Sequence, residues 1–225
     1  MSILELSNVK YTYKNKYQSV DALKGITCSF ENGKVYAIIG KSGSGKTTML
    51  SLMAGLDTPT SGSVLFDGKD TRKMKLDTYR RENVSVIYQS FRLFPLMTAE
   101  ENVSYPMELR GVKQKDAAKR ARELIRSVDL PDSVFHRFPA MLSGGEQQRV
   151  AIARALAMDT RLILADEPTG NLDTASSEKI IRILRSLAHE KNYCVIIVTH
   201  DMGVLDSVDE VYRMSDGILK KEERE

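Results

Sequence analysis

The sequence predicts an α/β fold with a mainly parallel sheet, an antiparallel β region near the N-terminus and a helical insertion in mid-chain. Three observations predict it. Short apolar runs alternate with helix-length segments after residue 140, which is the pattern of βαβ units. Two β-rich stretches without helical periodicity open the chain. A basic, helix-periodic stretch at residues 110–126 separates these two regions.

The composition is that of one globular domain covering residues 1–225, with 42% hydrophobic and 28% charged residues. The formal net charge of +3 is too small to predict a nucleic-acid partner, and we expect none. No apolar run approaches the roughly 18 residues of a membrane span, and no secretion signal is evident. Cys28 and Cys194 lack a CxxC spacing and are interpreted as buried thiols, so we expect a cytoplasmic protein.

The first part of the chain contains strand-like segments around one glycine-rich loop. Residues 3–13 and 20–30 are predicted to be antiparallel strands, and residues 34–39 form an apolar run typical of a buried strand. The loop is followed by a predicted helix over residues 46–54, which a glycine ends. An Asp-Gly pair predicts a hairpin turn within residues 63–72.

Residues 91–140 are predicted to form a mostly helical subdomain. The apolar residues of its helical stripe are Val112, Ala117, Ala121, Leu124 and Val128, and its many basic residues are interpreted as a solvated face. Downstream, the alternating pattern predicts helices at 144–158 and 174–190, strands at 161–165 and 193–199, then a short helix, a last strand and a frayed polar end at 220–225.

Residues 40–47, with the sequence GKSGSGKT, match the phosphate-binding pattern GxxxxGK[ST]. The match lies between an apolar strand and a helix, where the motif requires it. Glycines allow successive backbone N–H groups to converge on phosphate oxygens at the helix N-terminus. Lys46 would then neutralise the β- and γ-phosphates, and the Thr47 hydroxyl would bind Mg²⁺. The motif therefore predicts a P-loop nucleoside-triphosphate site.

Two adjacent carboxylates, Asp166 and Glu167, follow the apolar run 162–165. At the carboxyl end of a parallel strand in a P-loop protein, Asp166 is placed to support Mg²⁺. Glu167, directly after it, is placed to polarise a water molecule aimed at the γ-phosphate. A structural charge pair at a strand end would be preferred for these residues alone; beside Lys46 we prefer the catalytic interpretation.

The sequence LSGGEQQR at residues 142–149, opening a predicted helix, resembles the signature of ABC-type ATPases. The resemblance runs from the first strands to the last helix and includes residues 166–173 and 199–201. Its nearest likeness is to the ATPase subunits of lipoprotein-releasing, macrolide-efflux and antimicrobial-peptide-resistance transporters. It implies an ATP-hydrolysing subunit that binds ATP and Mg²⁺, on a P-loop NTPase core.

Ser143, Gly144 and Gly145 at a helix start can bind an anion through a hydroxyl and unhindered N–H groups. An ordinary serine N-cap is the alternative. The chain then has two phosphate-binding loops and one carboxylate pair. The resemblance implies that two copies dimerise head to tail, each ATP lying between the P-loop of one copy and the LSGGEQQR segment of the other.

The resemblance also assigns single residues. It implies that Gln89 senses Mg²⁺ and the attacking water, and that His200 contacts the γ-phosphate. Tyr13 matches the aromatic residue that stacks on adenine, although a core tyrosine is a rival interpretation and Tyr11 is nearby. Asp173 matches the residue that links the two sites, and a helix N-cap is equally compatible.

The expected site residues form three groups. The catalytic residues are Lys46, Gln89, Glu167 and His200. The expected magnesium ligands are Thr47, Gln89 and Asp166. The expected nucleotide contacts are Tyr13, Gly40, Ser42, Gly43, Ser44, Gly45, Lys46, Thr47, Thr48, Ser143, Gly144, Gly145, Glu146 and Asp173. Lys41 departs from the proline usual in the family, and we expect it to be tolerated.

The apolar run FRLFPLM at residues 91–97, just after Gln89, has two interpretations. It packs the helical subdomain, or part of it lines a groove for a cytoplasmic helix of an integral membrane permease. The resemblance implies the permease, and hence a peripheral position on the inner face of the cell membrane, with a lipophilic or peptide-like cargo or a mechanical output. The alternative is a non-transport ABC ATPase acting in signalling, in cell-wall regulation or on nucleic acid or the ribosome.

Overall fold

The computed structural model describes residues 2–14 and 17–222, and its strands form two sheets. The smaller sheet is antiparallel and contains β1 (Ser2–Lys14), β2 (Ser19–Glu31), β4 (Ser61–Phe66) and β5 (Lys69–Asp70) in the order β2-β1-β4-β5. Strand β1 pairs with β2 on one side and with β4 on the other. The predicted antiparallel region is confirmed.

The larger sheet has six strands in the order β10-β9-β3-β8-β7-β6. Neighbouring strands in this sheet are parallel, except that β9 and β10 pair antiparallel. The strands are β3 (Val35–Ile39), β6 (Val84–Tyr88), β7 (Leu162–Asp166), β8 (Cys194–Thr199), β9 (Glu210–Ser215) and β10 (Ile218–Glu222). Because β6, β7, β8 and β3 are adjacent and parallel, the residues that follow them meet at one edge of the sheet.

Six α-helices surround the sheets in the described part of the chain. They are α1 (Lys46–Met53), α2 (Leu76–Glu82), α3 (Ala99–Leu109), α4 (Gln114–Ser127), α5 (Gly144–Ala157) and α6 (Thr174–Lys191). Helices α3, α4 and α5 pack against one another, and their apolar faces join the core of the larger sheet. Of the helices described, none combines the length and apolar character that a membrane crossing requires.

The core consists of two apolar layers, one on each face of β3. Val35, Ala37 and Ile39 point into the layer shared with α5 and α6. Tyr36 and Ile38 point into the layer shared with α1 and the antiparallel sheet. The continuous apolar run of β3 is therefore explained by burial on both faces, as expected for a central parallel strand.

Four details differ from the sequence predictions. Val112 lies in the loop before α4 and is 41% exposed, so it is not part of the buried stripe. Of the polar end predicted at residues 220–225, residues 223–225 lie outside the described residues, and residues 220–222 are not frayed, because they pair with β9 and Lys221 forms an ion pair with Glu210. Strand β6 and helix α2 were not predicted, although the apolar run of β6 was a usable signal. Cys194 is buried as expected, but Cys28 is only partly buried.

Candidate active site

The loop of residues 40–47 connects β3 to α1 and has a backbone that requires glycine. Gly45 has φ +109°, and a Cβ there would lie 2.7 Å from the carbonyl oxygen of Ala22. A Cβ at Gly40 would lie 2.3 Å from the carbonyl oxygen of Met214. No side chain caps the N-terminus of α1, so its first N–H groups have no side-chain acceptor. Such a helix start favours an anion.

Lys46 is the buried cation of this loop, with 7% of its surface exposed. Its Nζ donates to the carbonyl oxygens of Gly40 (2.7 Å) and Lys41 (3.0 Å). Among the described residues no carboxylate forms an ion pair with it, and the buried Ser44 Oγ has no hydrogen-bond partner. A buried cation without an ion-pair partner and a buried hydroxyl without a hydrogen-bond partner fit a phosphate group.

Asp166 ends β7 and Glu167 follows it with φ +47°, an uncommon conformation for a residue other than glycine. Burial raises the pKa of Asp166, the charge of Glu167 raises it further, and Lys46 and Arg92 oppose that shift. The backbone N–H of Glu167 donates to the Val198 carbonyl at 2.8 Å, so Glu167 is still hydrogen-bonded to β8 one residue beyond the end of β7.

The Glu167 carboxylate is held by the end of β8. Thr199 Oγ1 donates to Oε2 at 2.8 Å, and the His200 backbone N–H donates to the same oxygen at 3.3 Å. The Nδ1 atom of His200 lies 2.7 Å from Oε1. Thr199 is a contact that the sequence reasoning missed, although it directly precedes His200.

These residues line one open cavity of about 930 Å³. The predicted site residues that line it are Tyr13, Ser42, Gly43, Gly45, Lys46, Thr47, Thr48, Gln89, Asp166, Glu167 and His200. The cavity thus joins the phosphate cradle to both carboxylates, as the parallel topology requires.

The oxygen atoms of Thr47, Gln89 and Asp166 are hard donors of the kind that Mg²⁺ prefers. Within the described residues no group of three or more His, Cys, Asp or Glu side chains could hold a metal. One hydroxyl, one amide and one carboxylate are a donor set that fits Mg²⁺, an ion that usually keeps water and phosphate among its ligands.

Gln89 follows β6 and is tied to the loop after Glu167. Its Nε2 donates to Asn171 Oδ1 at 3.3 Å, and Asn171 Nδ2 donates to the Gln89 carbonyl at 3.1 Å. A Cβ at Gly170 would lie 2.8 Å from Gln89 Nε2, so glycine permits this approach. The sequence reasoning did not assign a role to Asn171.

Tyr13 is 52% exposed, so it is not the core aromatic residue that was the rival interpretation. Its hydroxyl lies 3.2 Å from Thr48 Oγ1, and its ring meets that of Tyr11 edge to face at 4.9 Å. Tyr11 instead hydrogen-bonds Asp57, which raises the pKa of its phenol to about 12. Stacking of Tyr13 on adenine stays a prediction.

The LSGGEQQR segment lies outside this cavity. Ser143 caps α5: its Oγ accepts from the Glu146 N–H (3.3 Å), and the Ser143 N–H donates to the Glu146 carboxylate (2.8 Å). Asp173 likewise caps α6 by accepting from the Ser176 N–H at 2.9 Å. Five predicted nucleotide contacts therefore do not line the cavity of their own chain: Ser143, Gly144, Gly145, Glu146 and Asp173.

Comparison with known proteins agrees with the fold and the cavity. Residues 23–170 match the family described as ABC transporter. The uncharacterized ABC transporter ATP-binding protein YclH of Bacillus subtilis is 45% identical over 217 residues, which are 96% of this chain and 95% of that protein. The lipoprotein-releasing system ATP-binding protein LolD of Geobacter metallireducens is 42% identical over 96% of this chain and 97% of its own length.

A solved structure of the ATP-binding cassette MJ0796 of Methanocaldococcus jannaschii, a dimer bound to ADP and Pi, aligns with a TM-score of 0.90. The alignment has 38% identity and covers 98% of each chain. The fold and the cavity define a P-loop ATPase. The chain belongs to the ABC transporter family as an ATP-binding subunit, and the family prediction is confirmed.

Proposed function

We propose that two copies of this chain bind two ATP molecules head to tail, hydrolyse them and drive a membrane permease. One observation carries the proposal. The cavity contains a phosphate cradle and a held carboxylate, whereas the exposed Ser143 and the start of α5 lie outside it. Two copies placed head to tail would bring the α5 start of one copy to the open cavity of the other. The α5 start would then form the second side of the nucleotide site.

Each residue has a defined task in the proposed reaction. The loop N–H groups and Lys46 bind the phosphates, because they concentrate positive charge at the end of β3. Glu167 accepts a proton from, or orients, the attacking water, and His200 holds its carboxylate. Thr47 and Asp166, with Gln89 beside them, would hold a Mg²⁺ ion, which would supply charge neutralisation to the phosphates. Tyr13 stacks on the adenine ring, and Asp173 links the two sites.

The proposed output surface is the segment Gln89–Met97 with the groove beside it. Phe94 and Leu96 are 43% and 89% exposed, whereas Leu93 packs against the core. A groove of about 250 Å³ lies beside the start of this segment: it is lined among others by Leu56, Tyr88 and Met158, and by Arg154, which hydrogen-bonds residues 91 and 92. Exposed apolar side chains beside an open groove suit an amphipathic helix of an integral membrane partner.

Arg154 and Phe91 connect this surface to both nucleotide-binding elements. Arg154 donates to the carbonyl oxygens of Arg92 (2.6 Å) and Phe91 (3.0 Å). The ring of Phe91 lies 3.7 Å from the place that a Cβ of Gly144 would take. A movement of Gln89 on hydrolysis would therefore be transmitted to α5 and to the groove. The protein acts on the inner face of the cell membrane, with a lipophilic or peptide-like cargo or a mechanical output.

A mixing experiment tests the head-to-tail pair. In a dimer of Lys46→Ala copies both cradles are disabled, and in a dimer of Ser143→Arg copies both α5 starts are blocked. Each variant alone is therefore expected to be inactive. In a mixed dimer, one site combines an intact Lys46 with an intact Ser143 of the other copy. ATPase activity is expected to return on mixing. Mixed dimers that form without any return of activity would contradict the arrangement.

A further inference from the structure

We propose that residues 109–119, here called the basic tip, bind the anionic headgroups of a phospholipid bilayer. The tip joins the end of α3 to the first turns of α4. The inference rests on the proposed function, because the permease groove orients the tip toward the membrane. Its chemical basis is the charge, the apolar content and the position of the tip.

The tip carries a positive charge that ion pairs do not neutralise. Arg110, Lys113, Lys115 and Lys119 stand against one carboxylate, Asp116, so the tip carries +3, which equals the formal net charge of all 225 residues. The three lysines are exposed, and none forms an ion pair within the described residues. Farther along α4, Arg120, Arg122 and Arg126 pair with Glu123, Glu100 and Asp132. Unlike these three arginines, the lysines of the tip have no carboxylate partner in the described chain.

The tip also exposes apolar side chains among these cations. Leu109 is 65% exposed and Val112 is 41% exposed. Exposed apolar residues between unpaired lysines are typical of segments that lie in the headgroup region of an anionic membrane. The tip has no aromatic residue on which a base could stack, which disfavours single-stranded nucleic acid as its partner.

The first turns of α4 present the lysines outward as a rigid surface. Ala117 and Ala121 are fully buried on the inner face of the helix. Lys115 and Lys119 are four residues apart, which places them side by side on the outer face. Because the helix is anchored by packing, the backbone that carries these charges needs no further ordering on binding.

The tip is adjacent to the proposed permease groove. The Arg110 guanidinium donates to the Met158 carbonyl oxygen, and both Met158 and Pro106 of α3 line the groove. The proposed permease is embedded in the bilayer, so the side of the chain that carries this groove and the neighbouring tip would face the membrane surface. Contact with anionic lipid would then orient the subunit for docking and increase its concentration at the membrane.

The test uses the full chain and phosphatidylcholine vesicles with or without phosphatidylglycerol. The triple variant Lys113→Gln, Lys115→Gln, Lys119→Gln removes three tip charges. The matched control, Lys69→Gln, Lys73→Gln, Lys75→Gln, removes three exposed lysines near β5 and α2 that also lack ion pairs in the described chain. The tip variant is expected to bind phosphatidylglycerol vesicles more weakly by a factor on the order of 100.

Support requires that the wild type and the control bind the phosphatidylglycerol vesicles equally, that added salt releases both, and that vesicles of phosphatidylcholine alone bind neither. Absence of wild-type binding overturns the inference, as does an equal loss in both triple variants. Binding of RNA in place of vesicles also overturns it. ATPase activity and the mixing experiment do not depend on the tip, so failure here is distinguishable from failure of the proposed function.

Discussion

The Glu167 carboxylate and the His200 imidazole are joined by a 2.7 Å contact between Oε1 and Nδ1. Both residues follow adjacent parallel strands, β7 and β8, and each lies just beyond its strand. Oε2 of the same carboxylate accepts from Thr199 and from the His200 backbone. The carboxylate is therefore held by three contacts from Thr199 and His200, and Glu167 lines the cavity. This geometry suits a group that positions water.

Glu167→Gln is expected to abolish most ATP hydrolysis while ATP still binds. The amide has nearly the shape of the carboxylate but cannot accept a proton, so turnover should fall by about 10²–10⁴-fold. Phosphate release measures the first effect and a fluorescent-nucleotide titration measures the second. In the presence of ATP this variant should accumulate as a dimer. Near-normal turnover would show that Glu167 is not the catalytic carboxylate.

His200→Ala removes the imidazole contact with Glu167 and leaves the hydrogen bonds from the Thr199 hydroxyl and from the backbone N–H of residue 200. Hydrolysis should fall at least about tenfold because the carboxylate loses one of its positioning contacts, and nucleotide affinity should change little. Thr199→Val is the matched comparison, since it removes the hydroxyl that donates to Oε2 and accepts from the Asp201 N–H while the imidazole stays. If His200→Ala weakened ATP binding as strongly as hydrolysis, a role confined to the reaction step would be wrong.

Lys46→Ala is expected to weaken nucleotide binding itself. Lys46 is buried in the cradle and its replacement removes a charge-assisted contact worth about 2–3 kcal/mol, or roughly 30–150-fold in Kd. Lys41→Ala in the same loop is the control, because Lys41 is exposed and should change Kd far less. Equal losses in both variants would mean that general positive charge, and not the buried position, determines affinity.

Leu96→Asp tests the output surface. Leu96 is 89% exposed, so the change should alter the free energy of unfolding by no more than about 0.5 kcal/mol. Copurification of the membrane permease with a tagged chain should nevertheless be lost. Ile218→Asp, at an exposed apolar residue of β10, should retain the permease. Retention by both variants would remove residues 91–97 from the docking surface.

Asn102→Leu tests how the segment before α3 is held. Asn102 is fully buried; its Oδ1 accepts from the Phe94 N–H at 2.7 Å, and its Nδ2 donates to the carbonyl oxygens of Phe94 (3.1 Å) and Met97 (3.0 Å). Leucine leaves these groups unpaired, which should cost about 2–4 kcal/mol of stability. Thermal unfolding measures the loss. Gln114→Leu, at an exposed position, should leave the melting temperature nearly unchanged.

The parts of the site that could be predicted are those in which one short segment contains both the functional residue and the local context that indicates its function. The cradle at residues 40–47 and the pair Asp166 and Glu167 are of this kind, since each lies in its own strand-end context. The missed contacts join distant segments. Arg154 holds carbonyl groups 62 and 63 residues away, and Asn171 bonds Gln89 across 82 residues. No local pattern specifies such partners, because they depend on how the strands are ordered in the sheet.

The sequence by itself determined the class of chemistry, because a glycine loop that ends in Lys46 and Thr47 has few other uses between a strand and a helix. It also determined the alternation of strands and helices after residue 140. Only the tertiary structure decided which of the predicted residues line the cavity and which lie elsewhere on the surface. Parallel pairing of β3, β8, β7 and β6 brings their carboxyl ends to one edge, whereas α5 begins elsewhere on the surface. Strand order is a global packing outcome, and the separation of Ser143 from its own cavity follows from it.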